Sequence, residues 1–107
     1  MGITKTDLYT SEQNALASAL KVLGHPARVA ILQFLSSTQS CITGDIVDEI
    51  GLAQPTISQH LKELKNANII QGTIEGTSIC YCLNQKTIML LEEFFGGISN
   101  KLNNKCC

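Results

Sequence analysis

Five cysteines in a chain of 107 residues are its most reactive side chains, and their spacing divides them into three groups. Cys41 stands alone, Cys80 and Cys82 flank a tyrosine, and Cys106 and Cys107 are the last two residues. Thiolates bind soft metal and metalloid ions and exchange with disulfides. Metalloid binding, redox sensing and inert packing are therefore all open. A structural disulfide framework is the poorer interpretation, because the number is odd and no secretion signal precedes the thiols.

A second group of side chains suits hydrogen bonding. Amide, hydroxyl, imidazole and lysine groups follow one another between residues 54 and 65. Such groups pair with base edges and phosphates, although composition alone is explained as well by a solvated surface helix. The members are Gln54, Thr56, Ser58, Gln59, His60, Lys62 and Lys65.

No pattern of residues indicates an enzyme. The carboxylates at 45–49 and 92–93 are interpreted as solvated helix faces, since no nucleophile–base pair or phosphate-cradling glycine loop accompanies them. His25, directly before a proline, is interpreted as structural.

The bulk composition is that of one folded domain over residues 1–107, with 44% hydrophobic and 16% charged residues. No apolar run approaches the ~20 residues that span a membrane, and the N-terminus has no apolar signal core. We therefore expect a cytoplasmic protein without a membrane partner. The net charge of −1 argues neither for nor against nucleic acid, since only cations gathered on one face would matter.

Hydrophobic periodicity predicts the elements that position these side chains. The expected fold is mainly α with a small β-hairpin. The strands, 70–74 and 78–83, surround a glycine turn, and the last helix has an apolar surface broader than one small core requires. Helices are predicted at 12–23 with Ser11 as cap, 26–36, 44–50 with Thr43 as cap, 54–68 and 85–101.

Two short helices joined by a glycine turn form a helix–turn–helix over residues 44–68, and the following hairpin at 69–83 supplies a wing. Residues 102–107 are predicted to be a tail.

Three stretches resemble the ArsR/SmtB family of metal- and redox-responsive repressors. They are residues 23–32 (LGHPARVAIL), residues 52–64 (LAQPTISQHLKEL) and the wing with EGT at 75–77 and YCL at 81–83. The likeness covers roughly residues 15–95. It implies a winged helix homodimer held by helices 11–23 and 85–101. It further implies that the apo dimer binds double-stranded operator DNA without a cofactor, and that an inducer lowers its affinity.

The resemblance makes the polar residues of 54–65 the DNA-reading face, and it places the wing tip, Gly76 and Thr77, against the adjacent backbone. The zinc site that some members carry on the last helix is not expected, because residues 85–101 hold no histidine.

The cysteines depart from the family pattern, since Thr43 stands where a second cysteine would follow Cys41. Cys80 and Cys82 share the outward face of a strand, opposite Tyr81. If residues 41–43 pair with that strand, three thiolates meet and suit trivalent arsenic or antimony as inducer, with Cys106 and Cys107 as secondary ligands. A persulfide or oxidant switch using Cys41 and the C-terminal pair is the alternative. A winged helix that binds protein and no DNA is a further one, supported only by the low net charge.

Overall fold

The computed structural model describes residues 8–37, 43–76 and 78–102, and the elements along them follow the predicted order. The mainly helical fold with a two-stranded antiparallel hairpin is thereby confirmed. The helices are α1 (Ser11–Leu23), α2 (Pro26–Ser37), α3 (Thr43–Ile50), α4 (Gln54–Asn66) and α5 (Gln85–Lys101), and the strands are β1 (Ile70–Glu75) and β2 (Ser78–Leu83).

The first helix begins with a reciprocal pair of hydrogen bonds. The Thr10 Oγ1 accepts from the Gln13 N–H at 3.0 Å, and the Gln13 Oε1 accepts from the Thr10 N–H at 2.9 Å. This capping box satisfies two backbone donors at the helix start. The cap is therefore Thr10 rather than the predicted Ser11, which is the first helical residue, and Thr43 is likewise the first residue of α3 rather than its cap.

The helices pack around one apolar core. Ile31 of α2, Ile46 of α3, and Ile57, Leu61 and Leu64 of α4 are all nearly inaccessible to solvent. These three residues of α4 are the apolar stripe predicted at spacings of four and three. The core thus fixes which side of α4 faces outward.

The turn between α3 and α4 depends on Gly51. Its φ is +83°, a left-handed conformation that glycine adopts without steric cost. Its N–H donates to the Val47 carbonyl at 2.9 Å and closes α3. Helix α4 begins three residues later, at Gln54, so α3 and α4 form a tight helix–turn–helix.

The wing follows α4 through Asn68, whose φ of 60° redirects the chain into β1. Helix α4 therefore ends at Asn66 rather than at the predicted residue 68. The cross-strand pairs Ile70↔Leu83, Gly72↔Tyr81 and Ile74↔Ile79 lie on one face of the hairpin. Tyr81 and Leu83 pack against the core, as predicted. Of residues 41–43, whose pairing with the second strand would complete the predicted cysteine site, Thr43 is helical and the other two residues lie outside the described residues.

Taken over the described residues, no single helix combines the length and hydropathy needed to cross a membrane. The pair Ser11–Leu23 and Pro26–Ser37 meets those criteria only jointly, and it is bent by 99° at the break.

Candidate nucleic-acid interface

Helix α4 carries a polar face, here called the α4 polar face, on the outside of the helix–turn–helix. Because Ile57, Leu61 and Leu64 point into the core, the polar side chains on the opposite side of the helix lie outside. The N-cap is Ala53, whose side chain accepts no hydrogen bond, so the first N–H groups of α4 have no side-chain cap. Uncapped N–H groups at a helix start suit a phosphate. The exposed members are Gln54, Thr56, Ser58, Gln59, Lys62 and Lys65.

Gln59 is held within this face by a neighbour one turn later. Its Nε2 donates to the Glu63 Oε1 at 3.0 Å. The bond occupies one amide proton and leaves the other proton and the carbonyl oxygen for a partner. A side-chain amide presented in this way can pair with an adenine edge in the major groove.

His60 does not belong to the α4 polar face, although it lies between exposed residues in the sequence. Its side chain is only 8% exposed, and its Nδ1 accepts a hydrogen bond from Arg28 Nε at 3.1 Å. It lacks the exposure that the predicted DNA contact requires, and we exclude it from the interface. Its position three residues after Ile57 and four before Leu64 is the signal that identifies it as inward.

Arg28 joins three parts of the fold around His60. Its Nη1 donates to the Val22 carbonyl of α1 at 3.0 Å, while its Nε binds the ring on α4. The His25 ring packs against His60 at a centroid distance of 4.5 Å. The His25 Nδ1 accepts from the Ala27 N–H at 3.0 Å, in agreement with a structural role. Burial lowers the pKa of His60, and His25 and Arg28 lower it further.

Three hydrogen bonds attach the wing to α4 and α5, and we call this set the three-element joint. The Ile69 N–H donates to the Leu64 carbonyl at 3.0 Å, and the Asn84 N–H donates to the Ile69 carbonyl at 2.9 Å. The Thr87 Oγ1 donates to the Asn68 carbonyl at 2.6 Å. The joint fixes the direction of the wing relative to the α4 polar face.

The end of the wing combines a glycine turn with exposed apolar residues. Gly76 has a φ of +63° and is exposed, whereas Thr77 lies outside the described residues. Ile74 is 78% exposed and its cross-strand neighbour Ile79 is 38% exposed. Reasoning from sequence assigned no role to these two isoleucines, because alternating apolar residues in a strand ordinarily face a core.

The structure describes two of the five cysteines, and both occur on β2. Cys82 is exposed with a free thiol, and Cys80 is half-buried and disulfide-bonded. Their backbone partners are Gln71 and Thr73, so both lie on the face opposite Tyr81, as predicted. Within the described ranges no three His, Cys, Asp or Glu side chains are grouped to hold a metal ion. The other cysteines of the predicted site, Cys41, Cys106 and Cys107, lie outside the described residues.

Comparison with known proteins places this architecture among bacterial regulators. A family model for bacterial regulatory proteins, the arsR family, matches residues 25–71, from the start of α2 into β1. The HTH-type transcriptional repressor SmtB of Mycobacterium tuberculosis is 37% identical over 70 residues, 65% of this chain and 51% of the repressor. The arsenical resistance operon repressor of Staphylococcus xylosus is 34% identical over 71 residues, 66% of this chain and 67% of that repressor.

The fold is shared with the solved homodimeric winged helix–turn–helix DNA-binding domain from Mycobacterium bovis. The TM-score is 0.68 at 19% identity, over 98% of this chain and 94% of that one. The helix–turn–helix, its outward polar helix and the attached hairpin define a winged helix protein. By sequence, the chain belongs to the arsR family, whose members are transcriptional regulators and not enzymes. It spans about half the length of the Mycobacterium tuberculosis repressor it matches.

Proposed function

We propose that this protein is a transcriptional repressor that binds double-stranded operator DNA as a homodimer and releases it when a thiol-reactive inducer binds. The α4 polar face carries the proposal. It presents amide, hydroxyl and lysine groups on a rigid helix with an uncapped N-terminus, next to a wing. This arrangement suits insertion of a helix into the major groove. Gly76 and Thr77 at the wing tip are proposed to touch the adjacent backbone, and DNA binding needs no cofactor.

The dimer is supported by apolar surface that one chain leaves uncovered. Along α5 the face that begins at the buried Leu91 continues through Phe95, Ile98 and Leu102, all of which are exposed. Leu20 on α1 is also exposed. The similar Mycobacterium bovis domain is homodimeric. Two recognition helices about one turn of DNA apart require an operator with inverted-repeat symmetry.

The central test is operator affinity after removal of the Gln59 amide. Gln59→Ala is expected to weaken specific binding by about 1–3 kcal/mol if the side chain pairs with a base edge. Fluorescence anisotropy with DNA from upstream of the gene measures the affinity. Gln33→Ala, at an exposed position on α2, is the matched control and should retain wild-type affinity.

The same titration separates the proposal from a winged helix that binds only protein. If the wild-type protein binds no upstream DNA at any salt concentration, the repressor proposal fails. Unchanged affinity in both Gln59→Ala and Lys62→Ala would instead remove the α4 polar face as the reading surface.

Trivalent arsenic or antimony is the first candidate inducer. The similar Staphylococcus xylosus protein is named for an arsenical resistance operon, and soft trivalent ions prefer thiolate ligands. Cys41, Cys80 and Cys82 are the proposed ligands, with Cys106 and Cys107 secondary. Cys80 binds the ion only after its disulfide is reduced to the thiolate. Ligation would move residues near Cys41 relative to the wing, and a coupling of about 1–3 kcal/mol is enough to release DNA.

An oxidant or persulfide switch is the second candidate, and the disulfide-bonded state of Cys80 favours it. In such a switch two thiols lose two protons and two electrons to the oxidant as the S–S bond forms. Cys80 then changes between thiol and disulfide on the face of the wing opposite Tyr81. The three-element joint connects this wing to α4, so the change can reach the α4 polar face.

The inducer is assigned by releasing the DNA complex with arsenite or a persulfide donor. Cys41→Ser and the double variant Cys80→Ser, Cys82→Ser are expected to bind DNA but ignore arsenite. A chain ending at Asn104 should still respond. If arsenite releases none of these proteins while the persulfide donor releases wild type, the redox switch replaces the metalloid site. Loss of the response only in the shortened chain assigns it to Cys106 and Cys107.

A further inference from the structure

The wing has no side chain that could pair ionically with a phosphate. Residues 69–83 contain no Lys or Arg and one carboxylate, Glu75. Over the whole segment 44–83 two lysines, Lys62 and Lys65, stand against five carboxylates and leave a net charge of −3. The nearby Arg28 is engaged by His60 and the Val22 carbonyl. Ionic contact from this segment is therefore limited to two lysines of α4.

The wing has apolar side chains at its tip instead. The pair Ile74 and Ile79, here called the wing-tip pair, continues the core-facing side of the hairpin beyond the core. The side chains of Ile79 and Tyr81 lie over Gly72, where an added Cβ would be 3.1 and 3.3 Å from them. Ile79 therefore packs against the hairpin, while Ile74 is 78% exposed to solvent.

We propose that the wing-tip pair contacts the deoxyribose walls of the minor groove next to the major groove that α4 occupies. This inference rests on the proposed function, since it requires α4 to bind DNA. The three-element joint attaches the wing to the end of α4, and six-residue strands project about 20 Å. Apolar side chains are among those that proteins insert into the minor groove. The wing thus contributes apolar contact, and within segment 44–83 the ionic contact comes from Lys62 and Lys65.

The dependence of operator affinity on salt concentration separates the ionic contribution to binding from the apolar contribution. The two lysines that segment 44–83 supplies per protomer contribute about −3.6 at most to the slope of log K against log salt for the dimer. Ile74→Ser is expected to weaken operator binding about tenfold without changing the slope, since it removes apolar contact only. Ile74→Lys places a cation beside the phosphates and should steepen the slope by about 1.8 for two wings.

Gln71 provides the matched control, because it is exposed on the opposite face of β1. It lies about 10 Å further from the tip than Ile74. Gln71→Lys and Gln71→Ser should keep the wild-type slope and affinity. Circular dichroism and thermal melting establish that each variant is folded.

The proposal is overturned if Ile74→Ser binds as wild type does and Ile74→Lys leaves the slope unchanged. It is also overturned if Ile74→Ser keeps the affinity of one dimer but reduces the number of dimers bound per DNA. That outcome assigns the wing-tip pair to contact between protein copies. Failure of wild type to bind any upstream DNA is a different result, which defeats the proposed function itself.

Discussion

At the scale of single residues, His60 makes the stability of the helix–turn–helix depend on pH. Its Nδ1 accepts a hydrogen bond from Arg28, so the folded state holds the ring neutral next to a cation. Burial, His25 and Arg28 all lower its pKa from the usual 6.5. The unfolded state therefore binds the proton more readily than the folded state. The stabilisation is complete above pH 6.5 and is lost as the pH falls from 6.5 toward the lowered pKa.

We predict that the free energy of unfolding falls less between pH 7.5 and pH 5 in His60→Asn than in wild type. Asparagine offers an oxygen near the position of Nδ1 but does not titrate. Urea unfolding at the two pH values measures the difference. Gln59→Ala, at the neighbouring exposed position, should keep the wild-type pH dependence. Parallel losses in wild type and His60→Asn would show that His60 is not the group responsible.

The exposure of a site residue was predictable from sequence where it depends only on neighbouring residues of the same helix. The exposed positions of α4 follow from an apolar stripe on one helix, and that stripe is visible in the sequence. The burial of His60 depends on Arg28, which lies 32 residues earlier in the chain. Periodicity within one element carries no information about such a partner. The exposed Ile74 escaped prediction because strand alternation does not show where the core beneath a strand ends.

At the scale of elements, some apolar residues of α5 pack in the core of their own chain and others are exposed. Leu91 is buried, and Leu90 and Phe94 pack against the core of their own chain. Phe95 and Ile98 are about half exposed. The broad apolar surface predicted from sequence is present, but only the structure separates the residues that hold the fold from those left for a partner. A charge at Leu91 would damage the fold and would not test the dimer.

We predict that Phe95→Glu converts a dimer into a folded monomer that no longer binds operator DNA specifically. A carboxylate at the centre of an apolar interface carries an unpaired buried charge, which is strongly unfavourable. Light scattering at micromolar concentration gives the mass, and circular dichroism gives the helix content. Glu93→Lys, at an exposed position on the same helix, should stay dimeric. A wild-type protein that is itself monomeric would contradict the repressor mechanism.

At the scale of the whole molecule, the chain is more extended than its length requires. Its radius of gyration is 16.6 Å, compared with roughly 13 Å for a compact domain of this size. Ile74 at the tip of the hairpin and Phe95 and Ile98 in the second half of α5 remain exposed beyond a small core, and a short chain buries a modest fraction of its surface. The order of the elements was predictable because helix and strand periods differ. Their projection was not, because it depends on packing between distant segments.

The three-element joint uses none of the side chains of the α4 polar face or of the wing-tip pair. All three acceptors are main-chain carbonyls, and only Thr87 contributes a side chain. Substitutions on the α4 polar face or at the wing tip therefore leave the joint intact. Descendants of this sequence can change those positions, and with them the DNA they recognise, without rebuilding the scaffold that holds helix and wing in place.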